Sequence, residues 1–191
     1  MIKYIFIGLL LTSLIHAQQI RPENLTDAQV KVKSKSLVRD IISKQRPDGS
    51  WKYSSRTVGA TALHLMALST AGLTEKHPSI RKGIVYLSQN FPDKDTYSMG
   101  LYATAFQMIN QKKYRKQIEL AATWLVDHQE NGTWNYRGTG PGDNSVTQFA
   151  LLGIKAAMEA GIHIPKETLE ASAKHFISTQ KQDGGWGYTG R

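Results

Sequence analysis

The chain has 191 residues, of which 40% are hydrophobic and 20% charged, a composition typical of a globular protein with room for one domain. It contains no cysteine, which excludes disulfides, thiolate metal sites and thiol nucleophiles. The formal net charge of +9 is best explained by solvated helix faces and loops. An anionic membrane or wall surface is the alternative partner, and we expect no nucleic-acid partner.

The N-terminus has the pattern of a secretory signal peptide. Lys3 is a short basic region, residues 4–15 form an apolar run, and Ala17 ends the segment with a small side chain. The apolar run is too short to span a bilayer but suits a signal sequence. Residues 1–17 are therefore predicted to be cleaved on export to the periplasm or outside the cell; an uncleaved short anchor is the alternative.

Beyond a polar lead at residues 18–35, the chain alternates amphipathic segments with segments that are apolar nearly all round. We expect helices in both, with the amphipathic ones forming an outer layer and the apolar ones an inner layer buried on every side. Small side chains such as Gly59, Ala103, Ala150 and Gly153 would let inner helices approach closely. The amphipathic helices are predicted at 36–44, 79–89, 114–128 and 168–180, and the apolar ones at 58–71, 96–109 and 146–160.

A turn unit with the pattern Gln-x(2–3)-Gly-x-Trp-x-Tyr follows three of the four amphipathic segments. Its copies begin at Gln45, Gln129 and Gln180, and a degenerate copy at Gln89 lacks the Gly-x-Trp. A helix pair that recurs every 40 to 50 residues or so indicates a repeat architecture. The residues of the three full units are Gln45, Gly49 and Trp51; Gln129, Gly132 and Trp134; and Gln180, Gly184 and Trp186.

These units resemble the QW motifs of squalene-hopene cyclases and of the wider superfamily with prenyltransferase and squalene oxidase repeats. The resemblance covers residues 36–191 and implies an all-α fold, the α/α toroid built of helical hairpins. It also implies that each Gln caps the next helix and stacks on its Trp, so that the three units are structural staples. Such toroids usually close with more hairpins than the three and a half found here, so the resemblance predicts a truncated chain.

Class II cyclases of that superfamily protonate an alkene with an aspartic acid in an Asp-x-Asp-Asp motif, and this sequence departs from it. Asp143 matches the first Asp, whereas Ser145 and Val146 stand at the other two positions, including that of the proton donor. Asp93 and Asp95 form an Asp-x-Asp pair that lacks the second, adjacent Asp of the motif. Asp143 is thus a weak catalytic candidate, and a helix-capping role is favoured.

Other chemistry has weaker support in the sequence. His64 lies on an apolar helix, and a role as a packed core histidine is favoured over a role as a ligand. The remaining histidines lack metal-ligand spacing. No metal or cofactor is predicted. A toroid-type polysaccharide lyase would use Arg or Tyr bases, for which Arg56, Tyr102 and Arg137 are available but not singled out by any pattern.

Three functions follow from this pattern. The favoured one is an exported, cyclase-like toroid that binds an isoprenoid or other apolar ligand, or acts as a scaffold, without competent cyclase activity. The second is a fragment of an isoprenoid-processing enzyme whose acidic motif lies outside this sequence. The third is a carbohydrate-active toroid, which is disfavoured because Lys, Asn or Gly follows the Gly-x-Trp turns where pectate-lyase-like relatives would have Pro.

Overall fold

The computed structural model describes residues 26–92, 94–138 and 140–189, and these residues form α-helices with no strand. The predicted all-α class is confirmed. Residues 1–17, interpreted as a signal peptide, lie outside the described residues. The helices are α1 (Asp27–Ser43), α2 (Thr57–Thr70), α3 (Pro78–Gln89), α4 (Thr96–Asn110), α5 (Arg115–Asp127), α6 (Asn144–Glu159) and α7 (Lys166–Thr179).

The first helix begins nine residues before the predicted start at Ser36, so the polar lead was wrongly interpreted as non-helical. Thr26 and Gln29 form a reciprocal cap at its start. The Thr26 amide donates to the Gln29 side-chain oxygen at 2.9 Å, and the Gln29 amide donates to Thr26 Oγ1 at 3.3 Å. This capping box starts a helix without any apolar periodicity. The chain divides into two units within α1, between Leu37 and Val38.

The other six helices begin and end within two residues of their predicted bounds. In the second unit, α4 packs against both α2 and α6, while α3 packs on α2, and α5 packs on α4 and α6. The apolar helices α2, α4 and α6 are thus consecutive neighbours in an inner layer. Because α4 lies between the other two, its residues from Ser98 to Phe106 are all buried.

The prediction that α2 is buried on every side was wrong. Leu63 of this helix is 50% exposed, although its neighbours Ala62 and Leu65 are fully buried. The reason is that α2 packs on α4 and α3, whereas the face that carries Leu63 borders an open cavity. An apolar face at this place is therefore in contact with solvent.

Small residues set the distance between inner helices. A methyl group added to Gly100 of α4 would lie 2.0 Å from the carbonyl oxygen of Phe149 in α6, and one added to Gly153 would lie 2.8 Å from the Gly100 Cα. A methyl group added to Gly59 of α2 would lie 2.5 Å from Ser98 Oγ in α4. Both inner contacts therefore require glycine, because any larger side chain would push the helix backbones apart.

The glutamine of each of the first two turn units contacts the following outer helix. Gln45 Nε2 donates to the carbonyl oxygen of Ser79 in α3 at 2.9 Å. Gln129 Nε2 donates to the carbonyl oxygen of Thr168 at 2.8 Å and to Ser172 Oγ at 3.0 Å, both in α7. In each case a partly buried amide joins the end of one outer helix to the first turns of the next.

The tryptophans of these two units are buried between the layers. Each indole N–H donates at 2.7 Å to a carbonyl oxygen of the preceding outer helix, and each backbone amide donates at 3.1 Å to a threonine hydroxyl of the following inner helix. One residue thus connects two helices through both its side chain and its backbone. The carbonyl acceptors belong to Ile41 and Leu125, and the hydroxyl acceptors to Thr61 and Thr147.

The glycines of the units have positive φ and pack directly on helix backbone. Gly49 has φ +90°, and a methyl group there would lie 2.3 Å from the carbonyl oxygen of Lys82. Gly132 has φ +81°, and a methyl group there would lie 2.2 Å from the carbonyl oxygen of Ala171. Both positions require glycine for two reasons: the backbone is in the left-handed region, and a helix carbonyl group lies too close for a side chain.

The third unit keeps its internal bonds but has fewer external contacts. Gln180 Nε2 donates to the Gly184 carbonyl oxygen at 2.9 Å, and Trp186 Nε1 donates to the Phe176 carbonyl oxygen at 2.7 Å. Trp186 is nevertheless 48% exposed, and no described atom lies within 4 Å of a methyl group placed on Gly184. The turn from Gln180 to Trp186 is therefore formed locally, whereas the residues after it contact α6, where Asn144 donates to the carbonyl oxygens of Gly187 and Tyr188 at 2.7 and 2.9 Å.

The three units differ in a way that unfolding measurements can resolve. Gln45→Ala and Gln129→Ala would each remove a side-chain hydrogen bond between two outer helices, to a carbonyl group that also accepts within its own helix, and we expect each to lower the free energy of unfolding by about 1 kcal/mol. Gln180→Ala is the matched control and should cost less than about 0.5 kcal/mol, because its partner lies in its own turn. Urea unfolding of the three variants measures this; equal losses would contradict it.

Candidate functional site

The N-terminal ends of the three inner helices meet in the folded chain. Arg56, which precedes α2, pairs through Nε with Asp95 Oδ2 at 3.2 Å, and Asp95 precedes α4. In the first turn of α4, the Tyr97 hydroxyl is hydrogen-bonded to Ser145 Oγ in the first turn of α6. Residues far apart in the chain are therefore brought together at one end of the inner layer.

A cavity of about 550 Å³ opens beside these helix ends, within the range of about 300–1,000 Å³ that is usual for small-molecule sites. We call it the inner pocket. Its lining residues come from the first and second turn units and from all three inner helices. They are Lys52, Tyr53, Arg56, Gly59, Ala60, Leu63, His64, Tyr97, Ser98, Leu101, Tyr136 and Phe149.

The wall of the inner pocket is mainly apolar and aromatic. Leu63 and Leu101 contribute aliphatic side chains, and the Tyr97 ring packs against the Phe149 ring with centroids 4.4 Å apart. The Tyr136 ring lies 5.5 Å from that of Tyr97. Such a surface gains free energy by removing an apolar ligand from water.

Two tyrosine hydroxyls on this wall are hydrogen-bonded within the protein. Burial raises the pKa of Tyr97 above its usual value, and its hydroxyl is already bonded to Ser145. The Tyr136 hydroxyl is bonded to the Tyr188 hydroxyl at 2.8 Å. Both hydroxyls thus have partners within the protein, and the raised pKa keeps Tyr97 protonated at neutral pH.

Asp143 does not line the inner pocket. It is buried, and its Oδ1 accepts the amide of Val146 at 2.8 Å, which caps α6 in the favoured way. Its Oδ2 accepts the Tyr188 hydroxyl at 3.1 Å. With a donor at each oxygen beside a helix N-terminus, this side chain acts as a helix cap and has both oxygens occupied.

A chain of hydroxyls connects Asp143 with the pocket wall. Since Tyr188 donates its single proton to Asp143, the Tyr136 hydroxyl must be the donor in the bond between the two tyrosines. The bond to Tyr136 and the adjacent Asp143 carboxylate raise the pKa of Tyr188, which therefore remains protonated. The chain orients Tyr136 and offers no acid to a ligand.

His64 lies on the pocket wall, and its ring is fixed by contacts with Ala60 and Trp51. Its Nδ1 is 2.6 Å from the Ala60 carbonyl oxygen, and its ring stacks parallel to that of Trp51 with centroids 5.2 Å apart. Because a carbonyl only accepts, Nδ1 must carry a proton. His64 is therefore both a packed histidine and a pocket residue.

Of the three residues considered for lyase chemistry, only Arg56 lines the inner pocket. Tyr102 is buried between Phe91 and Phe106, and this burial raises its pKa to about 12. Arg137 is exposed and follows the pocket residue Tyr136 without lining the cavity. The structure thus separates these three candidates.

The pocket residues Tyr97, Leu101 and Phe149 were not recognised from the sequence. Their pattern is that of any apolar helix, and only the crossing of α4 and α6 brings their side chains to one wall. The tyrosines of the turn units were a usable signal. Tyr53 and Tyr136, two residues after the Trp of their units, both line the pocket.

The chain matches no family model and no curated protein sequence. Within the ranges that the structure describes, no group of three or more His, Asp or Glu side chains could hold a metal ion. No helix in those same ranges has the length and hydropathy needed to cross a membrane.

The cap formed by Asp143 can be tested with two substitutions. Asp143→Ala should lower the free energy of unfolding by about 1 kcal/mol, because the α6 N-terminus loses its side-chain acceptor. Asp143→Asn retains an acceptor oxygen and should cost clearly less. Chemical unfolding compares the two variants with the parent chain. If Asn were as costly as Ala, the charge and not the cap would be the stabilising feature.

Proposed function

We propose that this chain is an exported, squalene-cyclase-like repeat protein that binds a linear isoprenoid or similar apolar chain in the inner pocket without cyclising it. The observation that carries the proposal is the composition of the pocket wall. Leucine, phenylalanine and tyrosine side chains contribute most of its apolar surface, and no Asp or Glu is among its described lining residues. Such a wall can hold an alkene but has no carboxylic acid to protonate it.

The α/α toroid is part of the same proposal. The alternation of inner and outer helices and the two-fold recurrence of the Gln, Gly and Trp contacts support it. A toroid of this kind would place the N-terminal ends of its inner helices around one cavity. The inner pocket lies at such ends.

Binding of a carbohydrate is less well supported by the pocket. A sugar exposes many hydroxyls that need partners, whereas the Tyr97 and Tyr136 hydroxyls and His64 Nδ1 are already bonded within the protein. The hydrocarbon chain of an isoprenoid has no hydroxyl groups that need hydrogen-bond partners. The proposal therefore rests on apolar contact rather than on hydrogen bonding.

Two leucines of equal exposure allow a controlled binding test. Leu63 lines the inner pocket and Leu120 lies on α5 away from it, and each is 50% exposed. We expect Leu63→Ser to weaken the binding of farnesol about tenfold, since about 1.4 kcal/mol of apolar contact is lost. Leu120→Ser should leave the affinity unchanged. Calorimetric titration measures both; equal effects, or no binding to the parent chain, would refute the proposal.

The absence of cyclase activity is tested separately with squalene. We expect incubation of the protein with squalene to give no cyclised product by mass spectrometry. Product formation would favour the alternative enzyme function and would require an acid other than the residues that line the inner pocket.

Export is proposed from the N-terminal pattern, and together with the basic charge it supports contact with an anionic membrane or wall surface. Mass spectrometry of the mature protein should find Gln18 as its first residue. A mature chain that still begins at Met1 would contradict cleavage near Ala17.

A further inference from the structure

The residue before α2 is unusual for its position. Asp95 and Asp143 immediately precede the inner helices α4 and α6, where a carboxylate complements the positive helix end. Arg56 stands at the same position before α2 and makes no side-chain cap. A cation is the least favourable choice for helix stability there, so its presence indicates another role.

Arg56 is also held in a fixed position. Its Nε bonds to Asp95 Oδ2, and its guanidinium carbon lies 5.4 Å from the centre of the Tyr136 ring and 5.7 Å from that of Tyr97. The side chain is nevertheless 44% exposed. In the described part of the chain, neither Nη nitrogen has a hydrogen-bond partner. The outer edge of the guanidinium is therefore oriented and free to bind a ligand.

The charge at the inner pocket suits a single negative charge. Lys52 and Arg56 are the charged residues that line it, and Asp95 neutralises one of the two cations from outside the lining. The net charge is thus about +1, augmented by the N-terminus of α2. A planar guanidinium edge matches the two oxygens of a carboxylate in geometry as well as charge.

Other ligand charges fit less well. A cationic ligand is disfavoured because the Arg56 guanidinium already occupies the faces of Tyr97 and Tyr136. A diphosphate carries more negative charge than Lys52 and Arg56 can balance, and the described residues offer no metal-binding cluster to assist them. A neutral alcohol would displace water from the Arg56 guanidinium without supplying an anionic hydrogen-bond partner, and this desolvation costs free energy.

We propose that the inner pocket selects an apolar chain that ends in one carboxylate. Arg56 binds the carboxylate through its two Nη nitrogens, Lys52 contributes a second positive charge, and Leu63, Leu101 and Phe149 contact the chain. This inference rests on the proposed function and specifies its ligand class.

The test compares two probes that share one chain, farnesoic acid and farnesol, by calorimetric titration. The parent protein should bind the acid about tenfold more tightly than the alcohol, which corresponds to one charge-assisted hydrogen-bonded pair. Arg56→Gln should abolish this preference by weakening the binding of farnesoic acid about tenfold. Arg137→Gln is the matched control, because Arg137 is exposed beside the pocket and does not line it.

Two further variants address folding and geometry. If Arg56→Gln loses its folded circular-dichroism signal because Asp95 is left unpaired, Lys52→Gln replaces it and should reduce the preference for the acid about threefold. Arg56→Lys keeps the charge but not the planar fork, and should retain only part of the preference.

The outcomes separate this inference from the proposed function. Equal affinities for acid and alcohol would overturn the carboxylate assignment and leave apolar binding intact. Tighter binding of farnesyl diphosphate than of farnesoic acid would overturn the choice of a monoanion. Absence of binding to all three probes would refute both the inference and the proposed function.

Discussion

The close approach of the inner helices is the constraint on which the rest of this structure depends. At the crossing of α4 and α6, Gly100 and Gly153 leave no room for even a methyl group, and Gly59 allows a similar contact between α2 and α4. This spacing brings Arg56, Asp95 and Ser145, which begin three different helices, to one end of the layer. Without it there would be no inner pocket, since its wall is assembled from all three helices.

The turn units solve a different problem, which is how to connect the layers. A tryptophan indole bonds back to the preceding outer helix, its backbone amide bonds forward to an inner helix, and a glutamine reaches the next outer helix. The contacts recur at Trp51 and Trp134 with the same lengths. Since backbone carbonyls are the main acceptors, the sequences of the contacted helices can vary without loss of the connection.

The same architecture separates capping from binding. Asp143, the weak catalytic candidate from the sequence, has both of its oxygens occupied by donors at the start of α6. Arg56 occupies the corresponding place before α2, where it weakens the helix end but presents a guanidinium edge to the pocket. Helix starts that are equivalent by position thus carry opposite charges, and the cationic one faces the cavity.

Most of the helices could be predicted from the sequence, because apolar periodicity and the glycines of the turn units are local signals that determine local structure. The start of α1 could not, since the capping box of Thr26 and Gln29 lies in a polar segment without that periodicity. The sequence by itself determined an inner and an outer layer of helices joined by Gln-Gly-Trp turns. Only the tertiary structure decided that Leu63 faces a cavity, that Asp143 does not, and that Arg56 lies over Tyr97 and Tyr136. The physical reason is that these contacts depend on the distance and angle at which helices cross, and that geometry is set by packing between residues far apart in the chain.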